Sequence, residues 1–444
     1  MTSSAEFLEL LRGAQAALDA GLPPQPAEPV TDAAVEALAE AAHRMHDNYP
    51  YASPLYAGQM LKPPHPAARA AYAMAMAVNP NNHALDGGRA SSAMELEAVA
   101  AIARMFGLPR PLGHLTSGGT FANLEALWVA GQLVPGKLVV ASEQAHYTHS
   151  RMSGVLGLPF RAIAVDARNR MSLTALKELA ETGDVGTVVV TLGTTATGAV
   201  DPLDEILALR ERYGFRVHVD TAYGGYFRLA SNLEASTQAA FAAISRADSI
   251  VVDPHKHGLQ PYGCGCVLFA DPAVGQFYQH DSPYTYFTSS QLHLGEISLE
   301  CSRAGAAAVA LWTTQRLFPM EPGGTFAKGL EACHNAALSL YELLRQANTR
   351  FVVPTHAPEL DIVVWACAGA TVEESSVLAQ RVFDRAEQLG LYLALAKLPV
   401  SLFPAATWRE GQTVTCLRSV LMKWQHVAWV ERIFASLLAA SASL

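Results

Sequence analysis

The sequence predicts an α/β protein, a mainly parallel sheet flanked by helices, followed by a small C-terminal α+β unit. Three observations carry that expectation. Short, apolar, β-branched runs recur through the middle of the chain at Leu138–Ala141, Phe160–Ala164, Val188–Leu192, Arg216–Val219 and Ile250–Val252. Helical stretches separate most of them, and continuous apolar strands alternating with helices belong to a parallel sheet covered on both faces. Half of the 444 residues are hydrophobic, ample for a packed interior, and the length calls for two lobes rather than one core.

The elements follow in order. Residues 1–75 are Ala-rich helical material broken by Leu22-Pro23-Pro24 and Pro63-Pro64-His65-Pro66. Around Asp32–His46 the apolar residues fall at helical spacing, with Asp32 as the candidate cap. This arm lacks a core of its own and is expected to pack across a partner subunit. From Ala90 to Phe106, Met94, Ala98, Ile102 and Met105 line one helix face. Thr116–Asn123 is a Gly-rich loop leading into a helix over Leu124–Leu133. Asp201-Pro202-Leu203-Asp204 reads as a helix start, an acidic cap followed by Pro at the first helical position. Gly263–Phe269 reads as a buried strand. Cys264 and Cys266 are then buried thiols, since no second Cys or His pair with zinc spacing accompanies them. A long helix around Glu300–Leu317 reaches Pro319–Gly324, which reads as a hinge. Beyond a further helix to about Leu344, strands near Ile362–Ala366 and Val414–Met422 and helices near Val372–Leu389 and Val427–Leu438 make the small unit. The expected division is an arm at 1–75, a large domain at 76–320 and a small domain at 321–444.

Composition narrows the function classes. A net charge of −9 without a long basic run argues against nucleic acid as the main partner. No apolar run reaches the roughly 18 residues of a membrane span, and the N-terminus lacks the regions of a signal peptide. Six Cys in a chain this long form no disulfide framework. A cytoplasmic enzyme acting on a small molecule is expected.

Chemistry concentrates where two predicted strands end. Ser249–Val252 runs into Asp253-Pro254-His255-Lys256-His257-Gly258, and Phe215–Val219 runs into Asp220. One amine and one carboxylate therefore arrive at C-terminal strand ends, where open α/β sheets bind ligands. Pyridoxal 5'-phosphate needs that pair, a Lys for the Schiff base and an acid to keep its ring nitrogen protonated. In Thr116–Asn123, glycines and free N–H groups at a helix start suit a phosphate. The spacing matches neither the P-loop nor the dinucleotide fingerprint. Each feature alone also has a plain reading, as a solvated Lys, a turn Asp or an ordinary capped loop.

From Asn79 to Arg303 the chain resembles the pyridoxal-phosphate-dependent decarboxylases of the aromatic amino acid and glutamate decarboxylase group. The motifs that carry the resemblance are His255-Lys256, Asp220-Thr221-Ala222-Tyr223-Gly224 and the loop at Gly118–Thr120. It implies the fold-type-I pyridoxal-phosphate-dependent transferase fold, a homodimer with its site near the subunit interface, and decarboxylation of an L-amino acid to an amine. It puts the Schiff base on Lys256, the ring-nitrogen partner at Asp220 and a packing methyl at Ala222. Phosphate contacts fall on Gly119, Thr120 and His255, and a stacking imidazole on His146. Thr195 falls beside the ring hydroxyl, with Thr194 as competitor. In such enzymes a loop Tyr protonates Cα; here Tyr286 or Tyr284 occupies that segment, or both simply pack at an interface. With the register shifted, Phe287 would hold the position, and family members with Phe there favour oxidative aldehyde formation. Ser289 or Ser290 would reach a partner's phosphate. Arg418 is either a substrate-carboxylate fork or a surface salt-bridge residue, and Arg303 is structural. Oxidative decarboxylation-deamination to an aldehyde, carbon–carbon lyase chemistry and a non-catalytic cofactor-binding protein are the rivals. The substrate stays open, because Tyr51–Gln59 and Asn79–His83 depart from both branches: Tyr49, Tyr51 and Tyr56 suggest an aromatic pocket, Asn81, Asn82 and His83 a polar one.

Overall fold

The computed structural model describes residues 4–24, 26, 29–83, 87–279, 297–406, 408 and 412–442. Tyr284, Tyr286, Phe287, Ser289 and Ser290 lie outside them. The chain begins with helices α1 (Ser4–Asp19), α2 (Asp32–Arg44), α3 (Pro66–Met76) and α4 (Arg89–Phe106). The central part alternates: β1 (Leu112–Thr116), α5 (Gly119–Leu133), β2 (Leu138–Ser142), α6 (Thr148–Val155), β3 (Phe160–Ile163), α7 (Leu173–Ala180), β4 (Val185–Thr191), α8 (Leu203–Tyr213), β5 (Arg216–Asp220), α9 (Ala235–Ala242), β6 (Ser249–Val252) and β7 (Gly265–Phe269). Then follow α10 (Gly305–Leu317), α11 (Thr325–Gln346), β8 (Phe351–Val352), β9 (Ile362–Cys367), α12 (Val372–Gln388), β10 (Ala394–Pro399), β11 (Thr413–Val420) and α13 (Val430–Ser441).

Among the described residues, seven strands form one sheet in the order β1-β7-β6-β5-β4-β2-β3. β6, β5, β4, β2 and β3 are mutually parallel, and β7 runs against both β6 and β1. Every residue of β4 is buried, because helices cover both faces; that is why Val188-Val189-Val190 is continuous rather than alternating. A second, antiparallel sheet orders β10-β11-β9-β8, and α12 packs on it. The α/β expectation holds.

Local differences have physical reasons. β1 escaped the sequence reading because Gly113 and His114 interrupt its apolar run; the buried His114 ring instead lies 2.9 Å from Glu125 on α5. Thr31, not Asp32, caps α2, its hydroxyl accepting from the Ala34 N–H. Asp201 is no helix cap either. Fully buried, its carboxylate accepts from the Met171 N–H at 2.6 Å and the Thr191 N–H at 2.8 Å, tying two loops to β4. α10 starts at Gly305 rather than near Glu300. The irregular segment before it is pinned by Arg303, whose guanidinium reaches Glu95 at 2.6 Å and the Leu115 carbonyl at 2.7 Å. No helix among the described residues is long and apolar enough to cross a membrane.

Candidate active site

β1, β2, β4, β5 and β6 all point their C-terminal ends to one edge of the sheet, and a cavity of about 450 Å³ lies there. Gly119, Thr120, His146, Thr195, Asp220, Ala222, His255 and Lys256 all belong to its wall. Thr194 does not: it is fully buried, with its hydroxyl accepting from the Ala199 N–H at 3.1 Å. Residues from five separate loops are thus brought together by strand direction alone.

Asp220 ends β5 and is 4 % exposed. Its Oδ2 lies 2.8 Å from His149 Nε2 and 3.3 Å from the Asn123 amide, and its Oδ1 accepts from the Ala222 N–H at 3.0 Å. Burial by itself would push this carboxyl up; the hydrogen bond and charge of His149 outweigh it and hold the group well below its ordinary range. His218, two residues earlier on β5, secures Asn123 through Nε2 at 2.8 Å and meets Ser249 Oγ through Nδ1. Sequence reasoning missed His149 and Asn123. Their only signals are the second His of His146–His149 and an Asn four residues into α5; their convergence on Asp220 is tertiary.

Asp253 was missed as well. Its Oδ2 sits 3.1 Å from the Lys256 amine and 3.5 Å from His255 Nε2. The same carboxylate explains Gly119, where an added Cβ would stand 2.7 Å from Oδ2. Gly118 takes a φ of +155°, a conformation side-chain-bearing residues rarely adopt. No side chain caps α5 there, so its first N–H groups and its dipole face the cavity. Nearby, His255 Nδ1 is buried without a partner. His146 is held by Thr148, whose Oγ1 is 2.6 Å from Nδ1, and burial lowers the imidazole's basicity.

Arg418, on β11, lies behind Thr195 rather than on the surface. It is 6 % exposed, and its guanidinium donates to the Thr195 carbonyl at 3.2 Å and to Gln59 Oε1 at 2.8 Å. Among the described residues no carboxylate comes within ion-pair distance of it. The two segments considered for side-chain selection are largely committed to the fold. Tyr56 is buried against Tyr51 and Tyr392. Asn82 is buried between Glu95 and Ser91, and Asn81 holds the His83 and Arg303 backbone.

An aldehyde-bearing aromatic phosphate ester fits these groups: an amine, a stabilised carboxylate, an uncapped helix start and an orphan imidazole nitrogen surround one cavity of cofactor size. With the parallel sheet, this is the architecture of the pyridoxal-phosphate-dependent enzymes of fold type I. Within that class the chain belongs to the pyridoxal-dependent decarboxylases, whose conserved-domain model matches residues 125–367. An L-tyrosine decarboxylase of Enterococcus faecium is 28% identical over 468 residues, covering 81% of this chain and 76% of that one. A probable L-tyrosine/L-aspartate decarboxylase of Methanothermobacter thermautotrophicus is 26% identical, covering 79% and 91%. Among solved structures, mouse CSAD superposes with a TM-score of 0.79 at 20% identity, over 100% of this chain and 93% of that one. Oryza sativa TDC with PLP and tryptamine superposes at 0.78 and 20%, over 98% and 96%. The protein is a pyridoxal 5'-phosphate-dependent amino acid decarboxylase.

Proposed function

We propose that Lys256 is the amine that holds the cofactor and that the reaction releases carbon dioxide from an L-amino acid, leaving the amine. The observation that carries this reading is the meeting of Lys256 and the His149-partnered Asp220 on the wall of one cavity. When bound, the cofactor accepts the electron pair left at Cα as carbon dioxide departs. Asp220 keeps the ring nitrogen protonated, which an ionised carboxylate does and a neutral one does not. His146, its basicity lowered by burial, and Ala222 line the same cavity and would hold the cofactor ring between them. Gly119 and Thr120 at the start of α5, with His255, would hold the phosphate, and Thr195 would serve the ring hydroxyl.

Arg418 is assigned to the substrate carboxylate, supported by its burial with only neutral partners. The proton for Cα is assigned to Tyr286 or, with the register shifted, to Tyr284. In this reading residues 1–75, 76–320 and 321–444 are arm, large and small domain, supported by the confinement of the second sheet to residues 351–420. The enzyme acts as a homodimer, with Ser289 or Ser290 reaching the partner's phosphate. A cytoplasmic setting is supported by six unpaired cysteines.

Borohydride reduction followed by peptide mapping tests the lysine: the adduct belongs on Lys256, and an adduct on another lysine overturns the assignment. A screen of the standard amino acids and of diamino and sulfinic acids for released carbon dioxide identifies the substrate. Product analysis separates amine from aldehyde.

A further inference from the structure

Asp361 lies just before β9 of the second sheet, is fully buried, and carries out none of the chemistry above. Its Oδ1 accepts from the Tyr223 hydroxyl at 2.6 Å, and its Oδ2 lies 3.3 Å from His257 Nε2. Tyr223 is a wall of the cavity, and His257 directly follows Lys256. The two rings also pack edge to face, with centroids 4.8 Å apart. On the other side, the Asp361 carbonyl accepts from the Leu421 N–H at 2.8 Å, next to the strand that bears Arg418.

We propose that Asp361 is a positioning residue that locks the Lys256 loop and the Tyr223 wall to the second sheet, and through it to Arg418. A buried carboxylate is costly unless its partners compensate, so a site that keeps one is held to the geometry those partners define. The Tyr223 hydroxyl, which hydrogen-bonds the carboxylate, and the His257 ring, which lies against it without a hydrogen bond, belong to the cofactor side of the molecule, and the backbone contact belongs to the substrate-carboxylate side. Their fixed spacing sets the distance between the amine that holds the cofactor and the guanidinium proposed for the substrate. The charged and titratable groups facing Asp361 are Tyr223, His257 and Lys62, with Cys333 of α11 beyond them. Burial raises the Asp361 carboxyl to about 6, against the Tyr223 hydrogen bond that lowers it. His257 is pushed well below its ordinary value by burial, then by Lys62 and Lys256, so it meets Asp361 as a neutral imidazole.

The inference rests on Lys256 being the cofactor lysine. The test uses reconstituted holoenzyme of Tyr223→Phe, Asp361→Asn and the double variant. Three quantities are read: the pH titration of the visible absorbance of the lysine-bound cofactor, the cofactor dissociation constant, and kcat separately from KM. Tyr223→Phe removes only a hydroxyl. It should shift the absorbance titration and lower kcat roughly tenfold, and the double variant should be no worse than Asp361→Asn alone, because partners in one network are non-additive. Parent-like titration and kcat in folded Tyr223→Phe, or effects that simply add in the double variant, overturn the proposal. Should Asp361→Asn fail to fold, Tyr223→Phe decides alone. A borohydride adduct on a lysine other than Lys256 removes the premise instead, so the two failures are distinguishable.

Discussion

At the scale of single residues, the most consequential contact is one the sequence hid. Lys256 and Asp220 are legible because each follows an apolar strand and the strands end together. His149 and Asn123 are not, because they come from helices that meet Asp220 only once the sheet has formed. His149 is what reverses the effect of burial on the Asp220 carboxyl. Replacing His149 with Ala should let burial dominate, raising the Asp220 pKa. In the proposed mechanism the ionised carboxylate is the working form, so the acid limb of the kcat profile should move to higher pH, and kcat at neutral pH should fall at least about tenfold. Asp220→Ala should lower kcat further, on the order of 100-fold or more, while bound-cofactor absorbance stays near one equivalent per chain. A parent-like pH profile in His149→Ala would show that the ion pair does not govern Asp220.

At the scale of elements, alternation made the parallel strands readable, whereas β1 and the two-residue β8 carry too little pattern to be seen. The start of α5 was legible as a loop but not as the helix itself, since Gly119 is a poor helix former and its presence answers to Asp253 instead. Gly119→Ala would gain helix propensity yet press a methyl onto the carboxylate beside Lys256. Cofactor dissociation should increase by about tenfold or more, with little loss in the apo-protein's melting temperature; a simple rise in stability with unchanged cofactor affinity would refute the packing argument. Asp201 gives β4 and its neighbouring loops a pH dependence. Its carboxyl is raised to about 7, first by burial, despite two backbone N–H donors. Between pH ~4 and 7 the folded protein keeps a proton that the unfolded chain releases, so stability falls as pH rises through that window and levels above it. Asp201→Asn should flatten this contribution in urea melts. It should also cost about 1–3 kcal/mol at pH 5, because its amide presents a donor to one of two N–H groups.

At the scale of the whole molecule, the N-terminal arm is where one chain explains least. α1 packs on α3, with Arg69 stacked 4.1 Å over the Phe7 ring. α2 buries no side chain, and Val35 and Leu38, three residues apart on one face, are 56 % and 70 % exposed, with Met45 beyond them at 66 %. The sequence shows that this helix has an apolar face but cannot show what covers it, because the covering surface belongs to no neighbouring stretch of chain. A helix of 13 residues is marginal in water without tertiary packing, so a second copy of the chain is the partner that would stabilise it. Placing Glu at both Val35 and Leu38 puts two desolvated carboxylates into that contact. For the proposed homodimer, the double variant should dissociate at micromolar concentration in sedimentation runs in which the parent is expected to stay dimeric. Its activity should fall with the dimer fraction, and its melting temperature should drop as the protein is diluted. A double variant that keeps the parent's mass and concentration-independent melting would place the subunit contact away from α2. A parent that is monomeric and fully active would remove the dimer from the mechanism altogether.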